Sequence, residues 1–308
     1  MTRHFTTIEE VSNGDLEKIY DLAVAPFDDE TLKGQGVALL FERPSLRTRA
    51  SSSAAVQELG GFVTFFSDDE IGMDTRESAE DIGRTLAQMH AISAMRVRNH
   101  DVFARMQRAT NDSMSLINLL SNVAHPTQAV ADVLTIADEF AKGDVNAMKG
   151  LHVAYVGDAT NVTRSLAVAL LRLGVNVTVG APNGYQLTSG GLEDPSAVSG
   201  KKTGTLRLTD SAVDAVKGAD VVYTDAWVSM GMEAETEKRR VDLASFRVTK
   251  ELMAHAGSSA VLLHCLPAHR GDEITDEVLD SAQSRVWRQV FHRRSAMLGV
   301  LRWIKEEK

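Results

Sequence analysis

The run Val37-Ala38-Leu39-Leu40-Phe41-Glu42-Arg43-Pro44-Ser45-Leu46-Arg47-Thr48-Arg49 passes from unbroken apolar residues to hydroxyls and guanidiniums within a few positions. Val37 to Phe41 reads as a buried strand. Pro44 ends it, and the segment beyond has no helix breaker, which predicts a helix opening on Ser45, Leu46, Arg47 and Thr48. Backbone N–H groups and the helix dipole at such a start attract an anion, and Arg47 adds a planar fork that matches phosphate oxygens. The stretch therefore reads as a phosphate site. The alternative is a surface helix that merely begins with basic residues.

On either side of this run the same alternation recurs. A helical pattern covers Asn13 to Ala25, and short β-type runs follow at Phe62 to Phe66, Ile92 to Arg96 and Ser115 to Asn118. Thr127 to Phe140 reads as a long helix, and a polar, glycine-containing segment to Gly150 precedes a second series. That series runs Leu151 to Val156, a helix to Leu173, Val175 to Val179, a Gly/Ser-rich loop from Asn183 to Thr203, Val221 to Thr224, and Ala260 to Leu263. Strands alternating with helices imply an α/β fold of two domains, each an open parallel sheet flanked by helices. The boundary falls near residue 145, giving domains 1–145 and 146–287. A last helix, about 288–308, carries Met297, Leu298, Leu301 and Ile304 at helical spacing and is expected to pack back on the first domain.

The bulk numbers agree. A chain of 308 residues exceeds the size at which one core usually keeps growing, so two domains are expected. A formal charge of −9 with dispersed basic residues argues against nucleic acid as a partner. No apolar run is long enough for a membrane span, and the start, Met-Thr-Arg-His-Phe, lacks a signal-peptide apolar region, so the expected location is the cytoplasm. The single cysteine, Cys265, fits a reducing compartment and cannot build a thiolate metal site, and no metal is expected.

In open sheets, ligands gather beyond the carboxyl ends of strands, and here the residues just past the strands are polar. Two such sheets with facing loops would form an active site in a cleft between the domains. Gly157-Asp158-Ala159-Thr160-Asn161 lacks the later glycines of a dinucleotide fingerprint, and Asp158 would repel a pyrophosphate, so the nicotinamide reading is rejected. Asn161 offers a donor and an acceptor to a substrate headgroup, or Asp158 and Asn161 simply cap the helix. His125 and Gln128 lie three apart at the start of the long helix, with Pro126 at its first position. With Arg96 they would surround one carbonyl oxygen and stabilise developing negative charge; alone, His125 would be a structural hydrogen-bonding residue. Asp225 in Asp225-Ala226-Trp227-Val228-Ser229-Met230-Gly231 could take an ammonium group or cap a helix. Cys265, in His264-Cys265-Leu266-Pro267-Ala268-His269-Arg270-Gly271, reads as a substrate contact ahead of a nucleophile or inert packing.

Together these segments resemble the ornithine carbamoyltransferase branch of the aspartate/ornithine carbamoyltransferases over essentially the whole chain. Ser45 to Arg49 is similar to the family's Ser-Thr-Arg-Thr-Arg motif, and His125 to Gln128 to its His-Pro-x-Gln motif. Asp225 to Gly231 resembles its Asp-x-Trp-x-Ser-Met-Gly loop, and His264 to Gly271 its His-Cys-Leu-Pro-Ala-His-Arg-Gly segment. The resemblance implies carbamoyl transfer from carbamoyl phosphate to the δ-amine of L-ornithine, without a cofactor. It implies that Ser45, Leu46, Arg47 and Thr48 hold the phosphate, while Arg96, His125 and Gln128 polarise the carbamoyl oxygen. Asn161, Asp225, Ser229 and Met230 would bind ornithine, with Cys265 and Leu266 between the ligands and Arg293 directed at carbamoyl phosphate. Arg76 would reach the site of an adjacent subunit in a homotrimer. Leu46 stands where the family has threonine, Ser52-Ser53 where it has Phe-Glu, and Gln289 to Arg293 departs from its Glu-Asn-Arg pattern. The departures at Ser52, Ser53 and Phe291 motivate a second enzyme reading with another amine acceptor, such as putrescine or an acylated ornithine; a third reading is an inactive ligand-binding paralogue.

Overall fold

The computed structural model describes residues 2–27, 30–187, 204–228 and 232–306. The chain divides into two compact units, Met1–Ala131 with Phe291–Lys308, and Asp132–Val290.

The first unit is built on β1 (Gly36–Phe41), β2 (Phe62–Ser67), β3 (Ile92–Arg96) and β4 (Ser115–Leu120), all parallel in the order β2-β1-β3-β4. Helices α1 (Asn13–Val24), α2 (Leu46–Glu58), α3 (Asp68–Ile71), α4 (Ala79–Ala87) and α5 (Asp101–Ala109) surround it, and α6 (Pro126–Ala141) begins in it. Every residue of β1 is buried, as an unbroken apolar run in a central parallel strand must be. Ala38, Leu40, Met95 and Leu116 meet Ile82, Leu86, Phe103 and Met106 of α4 and α5 in one core cluster. Polar caps set the helix starts: the side chains of Ser12 and Ser78 accept from the backbone N–H groups of Asp15 and Asp81.

The second unit holds β5 (His152–Val156), β6 (Asn176–Gly180), β7 (Leu206–Thr209), β8 (Val221–Thr224) and β9 (Val261–His264), parallel in the order β7-β6-β5-β8-β9. Its helices are α7 (Asn161–Arg172), α8 (Ala212–Val216), α9 (Thr236–Asp242), α10 (Lys250–Met253) and α11 (Asp276–Leu279). The final helix, α12 (Val286–Lys305), starts in this unit and ends in the first. Ala154, Val156, Val222 and Leu262 pack on Ala215, Phe246, Leu252 and Val278.

Most expected elements stand within two residues of their sequence limits. β7 was not expected: Leu206-Arg207-Leu208-Thr209 alternates apolar and polar residues, but over four positions only, and it lies half-exposed at a sheet edge directly after the Gly/Ser-rich loop. The predicted Gly/Ser-rich loop, Asn183 to Thr203, lies largely outside the described residues.

Strand order determines where ligands sit. In the first sheet the winding reverses between β1 and β3, and in the second between β5 and β8. Neighbouring strands whose connections leave in opposite directions open a crevice beyond their carboxyl ends. The residues beyond β1 are Glu42 to Thr48, and β3 ends on Arg96 and is followed by Val97 and Arg98; those beyond β5 and β8 are Asp158 to Asn161 and Asp225 to Val228.

Candidate active site

At the first switch point Ser45 is the cap residue of α2, but its hydroxyl donates to Thr48 Oγ1 at 2.9 Å and makes no cap bond to the backbone. Arg293 of α12 places its guanidinium beside them, with Nη2 donating to Thr48 Oγ1 at 3.0 Å and Nη1 to Gln128 Oε1. With two donors already on its oxygen, Thr48 keeps its own proton to donate elsewhere. Thr48, Gln128, His125 and Arg293 are all buried. The His125 imidazole is held well below its ordinary pKa, chiefly by burial and then by the charges of Arg293 and Arg96. It is therefore neutral and can donate one N–H without adding a proton to the site. Its carbonyl oxygen accepts from the N–H groups of Gln128 and Ala129, at 3.1 and 3.2 Å, which locks it to the first turn of α6.

The structure thus gathers Ser45, Thr48, Arg96, His125, Gln128 and Arg293. Arg47 is half-buried on the first turn of α2, and Leu46 before it turns its side chain outward, 79% exposed. Arg76 does not join them: it is exposed, and its guanidinium donates to the carbonyl oxygen of Glu70 at 3.1 Å.

Two supporting residues escaped sequence reading. Glu42 is buried; its N–H donates to Arg96 O at 2.9 Å and its carboxylate accepts from the Arg98 N–H at 2.5 Å, so it grips the strand end that carries Arg96. Burial pushes its carboxyl up, against the lowering pull of that Arg98 bond. Asn118, fully buried, donates to the carbonyl oxygens of Thr6 and Ala124 at 2.9 and 3.2 Å and so fixes the turn that delivers His125. The available signal was a polar side chain inside an apolar run, Ser-Leu-Ile-Asn-Leu-Leu.

In the second unit Asp225 lies just beyond β8 and Cys265 just beyond β9. Asp225 Oδ1 accepts from the Ala226 N–H at 2.8 Å and from Cys265 Sγ at 2.9 Å. A donating sulfur is a thiol, which sets Cys265 apart from an activated thiolate nucleophile. Asn161 is the first residue of α7, after the cap Thr160, and its Oδ1 accepts from the Val162 N–H at 3.0 Å. Asp158 is no cap: its carboxylate accepts from buried Arg239. Ser229 and Met230 lie outside the described residues.

Behind Cys265, His264 and Glu273 are fully buried, with His264 Nε2 and Glu273 Oε1 3.0 Å apart. The Leu266 N–H donates to His264 Nδ1 at 2.8 Å, so Nδ1 carries the lone pair and Nε2 the proton given to Glu273. This bond holds Leu266 at φ 57°, a left-handed conformation that is unfavourable for an L-residue. Ligand atoms of Asp225, His264 and Cys265 come within 4.8 Å of one another. Both ring nitrogens of His264 are already engaged, however, so a cation there would find only Asp225 and Cys265.

Residues 3–138 match the family model described as the aspartate/ornithine carbamoyltransferase carbamoyl-P binding domain, and residues 149–304 match that of the Asp/Orn binding domain. The anabolic ornithine carbamoyltransferase of Pyrococcus furiosus is 40% identical over 271 residues, 88% of this chain and 84% of that protein. The ornithine carbamoyltransferase of Symbiobacterium thermophilum is 35% identical over 306 residues, covering 97% and 96%. The solved structure of the Pyrococcus furiosus ornithine carbamoyltransferase superposes with a TM-score of 0.89 at 35% identity, covering 97% of this chain and 96% of that one.

Proposed function

Because the chain belongs to the aspartate/ornithine carbamoyltransferase family, we propose that it transfers the carbamoyl group of carbamoyl phosphate to the δ-amine of L-ornithine, giving L-citrulline and phosphate. The observation that carries this reading is the chemistry at the two switch points. One gathers guanidiniums, hydroxyls and a neutral imidazole, suited to an acyl phosphate; the other pairs a carboxylate with a thiol, suited to an amine-bearing amino acid.

In this reading residues 1–145 form the donor domain, completed by the last helix, and residues 146–287 the acceptor domain. Ser45, Arg47, Thr48 and the Leu46 N–H hold the phosphate, while Arg96, His125 and Gln128 face the carbamoyl oxygen and Arg293 orders Thr48 and Gln128. Asn161, Asp225, Ser229 and Met230 hold ornithine, with Cys265 and Leu266 lining the space beside its amine. A free alkylamine has a pKa near ~10.4, so the δ-ammonium must lose a proton before it attacks. The neutral amine then adds to the carbonyl carbon, and negative charge grows on the oxygen. Arg96, His125 and Gln128 stabilise that charge as the C–O bond to phosphate breaks and the surplus amine proton leaves. No cofactor enters. Holding both reactants in line is worth effective molarities of about 10⁵ M or more in well-aligned cases.

The expected assembly is a homotrimer in which Arg76 serves a neighbouring subunit. The edge strand β2 supports self-association: Phe62 is 52% exposed, and Phe65 and Phe66 beside it are only partly covered. No described helix is long and apolar enough to cross a membrane, and the expected location is the cytoplasm, in arginine metabolism.

The deciding experiment is a citrulline-forming assay with purified protein, carbamoyl phosphate and ornithine, run beside putrescine and an acylated ornithine, with sedimentation for the assembly. Turnover confined to another amine would reassign the acceptor. No turnover with any amine despite carbamoyl phosphate binding would favour the inactive paralogue.

A further inference from the structure

A buried ion pair lies behind the acceptor residues. Arg239 of α9 is 7% exposed. Its Nη1 donates to Asp158 Oδ2 at 2.5 Å and to the carbonyl oxygen of Trp227 at 3.0 Å, and its Nε donates to Glu235 Oε2 at 2.8 Å. Asp158 precedes Asn161 in the turn that leaves β5, and Trp227 follows Asp225 in the turn that leaves β8. One guanidinium therefore ties together the two turns that flank the switch point of the second sheet.

Other contacts make this tie rigid. The Tyr155 hydroxyl donates to the carbonyl oxygen of Asp158 at 2.7 Å, and the Ala159 N–H to that of Tyr185 at 2.9 Å. Tyr185 in turn donates its hydroxyl to Asp242, the last residue of α9, at 2.8 Å, and its ring lies 5.3 Å from the Arg239 guanidinium. Trp227, 1% exposed, is seated against Gly157, where an added Cβ would fall 3.3 Å from its indole nitrogen. Stability alone is a weak reason for this arrangement, since a buried ion pair often gains nothing over packed apolar residues. What apolar residues could not reproduce is the third bond, to the Trp227 carbonyl.

We propose that Arg239 is the positioning residue of the acceptor site: by holding Asp158 and the Trp227 carbonyl on one fork it fixes Asn161 and Asp225 relative to each other, and so sets affinity for the amino-acid acceptor. This rests on the reading of Asn161 and Asp225 as acceptor residues.

The test uses full-length Arg239→Met and Arg239→Lys proteins labelled with 5-fluorotryptophan. The three tryptophans give resolvable resonances, and Trp227→Phe assigns the relevant one. Lysine keeps a charge beside Asp158 but cannot also serve Trp227 and Glu235, and it covers the case in which the methionine variant fails to fold. The Trp227 resonance is expected to move in both variants. The KM for ornithine is expected to rise about tenfold or more in Arg239→Met and less in Arg239→Lys, with the Kd for carbamoyl phosphate unchanged. An unmoved Trp227 resonance in a folded variant overturns the proposal, as does a loss of donor affinity equal to that of the acceptor. If the wild-type protein fails to carbamoylate ornithine, the substrate reading falls, and the fluorine resonance still decides whether Arg239 holds the turn.

Discussion

Arg293 and Thr48, 245 residues apart in the chain, meet at 3.0 Å, the guanidinium Nη2 donating to the hydroxyl oxygen. The other arm of the fork serves Gln128. A single ammonium cannot span two acceptors in this way. Arg293→Lys is therefore expected to weaken carbamoyl phosphate binding about tenfold, and Arg293→Ala to weaken it further and cost about 1–2 kcal/mol of stability, since Gln128 Oε1 loses the guanidinium and Thr48 Oγ1 keeps only the Ser45 hydroxyl. Calorimetric titration and denaturant unfolding measure both, and an Arg293→Ala protein with wild-type affinity would exclude this role.

Arg47 lies half-buried on the first turn of α2, at the switch point. If Arg47 holds the phosphate as proposed, its removal takes away a contact to the leaving group while leaving the core untouched, so Arg47→Ala should lose about 10³-fold or more in turnover with an unchanged unfolding midpoint. A variant near the wild-type rate would refute the assignment.

His125 gives a pH dependence of stability with a definite sign. Burial first, then Arg293 and Arg96, depress its folded-state pKa well below 6.5. As pH falls through the ordinary imidazole range, the unfolded chain takes up a proton that the folded protein refuses. This group therefore costs stability progressively below about pH 6.5, by at most ~1.4 kcal/mol per pH unit. His125→Asn should remove that slope, so the gap between wild type and variant should shift in favour of the variant between pH 7 and 5. A gap independent of pH would contradict the assigned neutral state.

Gly299 sits inside α12, where alanine would ordinarily stabilise a helix by about 1 kcal/mol. Here an added Cβ would fall 2.4 Å from the carbonyl oxygen of Ile19 and 2.9 Å from Ala23 Cβ. Backbone atoms of α1 cannot yield as a flexible side chain would, so Gly299→Ala should destabilise by about 2 kcal/mol. Thermal unfolding checks the sign, and a raised melting temperature would mean that α1 and α12 separate easily.

What could be read beforehand followed from local physics. Val37 to Phe41 announced a central parallel strand because both of its faces are buried, and two prolines marked helix starts, Pro44 by ending that strand and Pro126 by its fixed φ at the first helical position. The residues beyond the strands could be picked out because parallel sheets bind ligands there. Glu42 and Arg239 could not, because their significance lies in partners remote in sequence: a carboxylate in Phe-Glu-Arg looks like any surface acid until Arg98 folds onto it. Asp158 illustrates the same limit. Its position suggested a helix cap, and only the arrival of Arg239, 81 residues later, decided for an ion pair.

The first unit is discontinuous, closing on residues 291–308 after the contiguous stretch 132–290 has been made. During synthesis on the ribosome, Thr48 and Gln128 must wait for Arg293, and α1 for Gly299, while the second unit already has its full sequence. A chain truncated before residue 291 would thus hold the whole sequence of the carboxyl-side unit but an amino-side unit still lacking its closing segment, the reverse of the usual order in which translation completes domains.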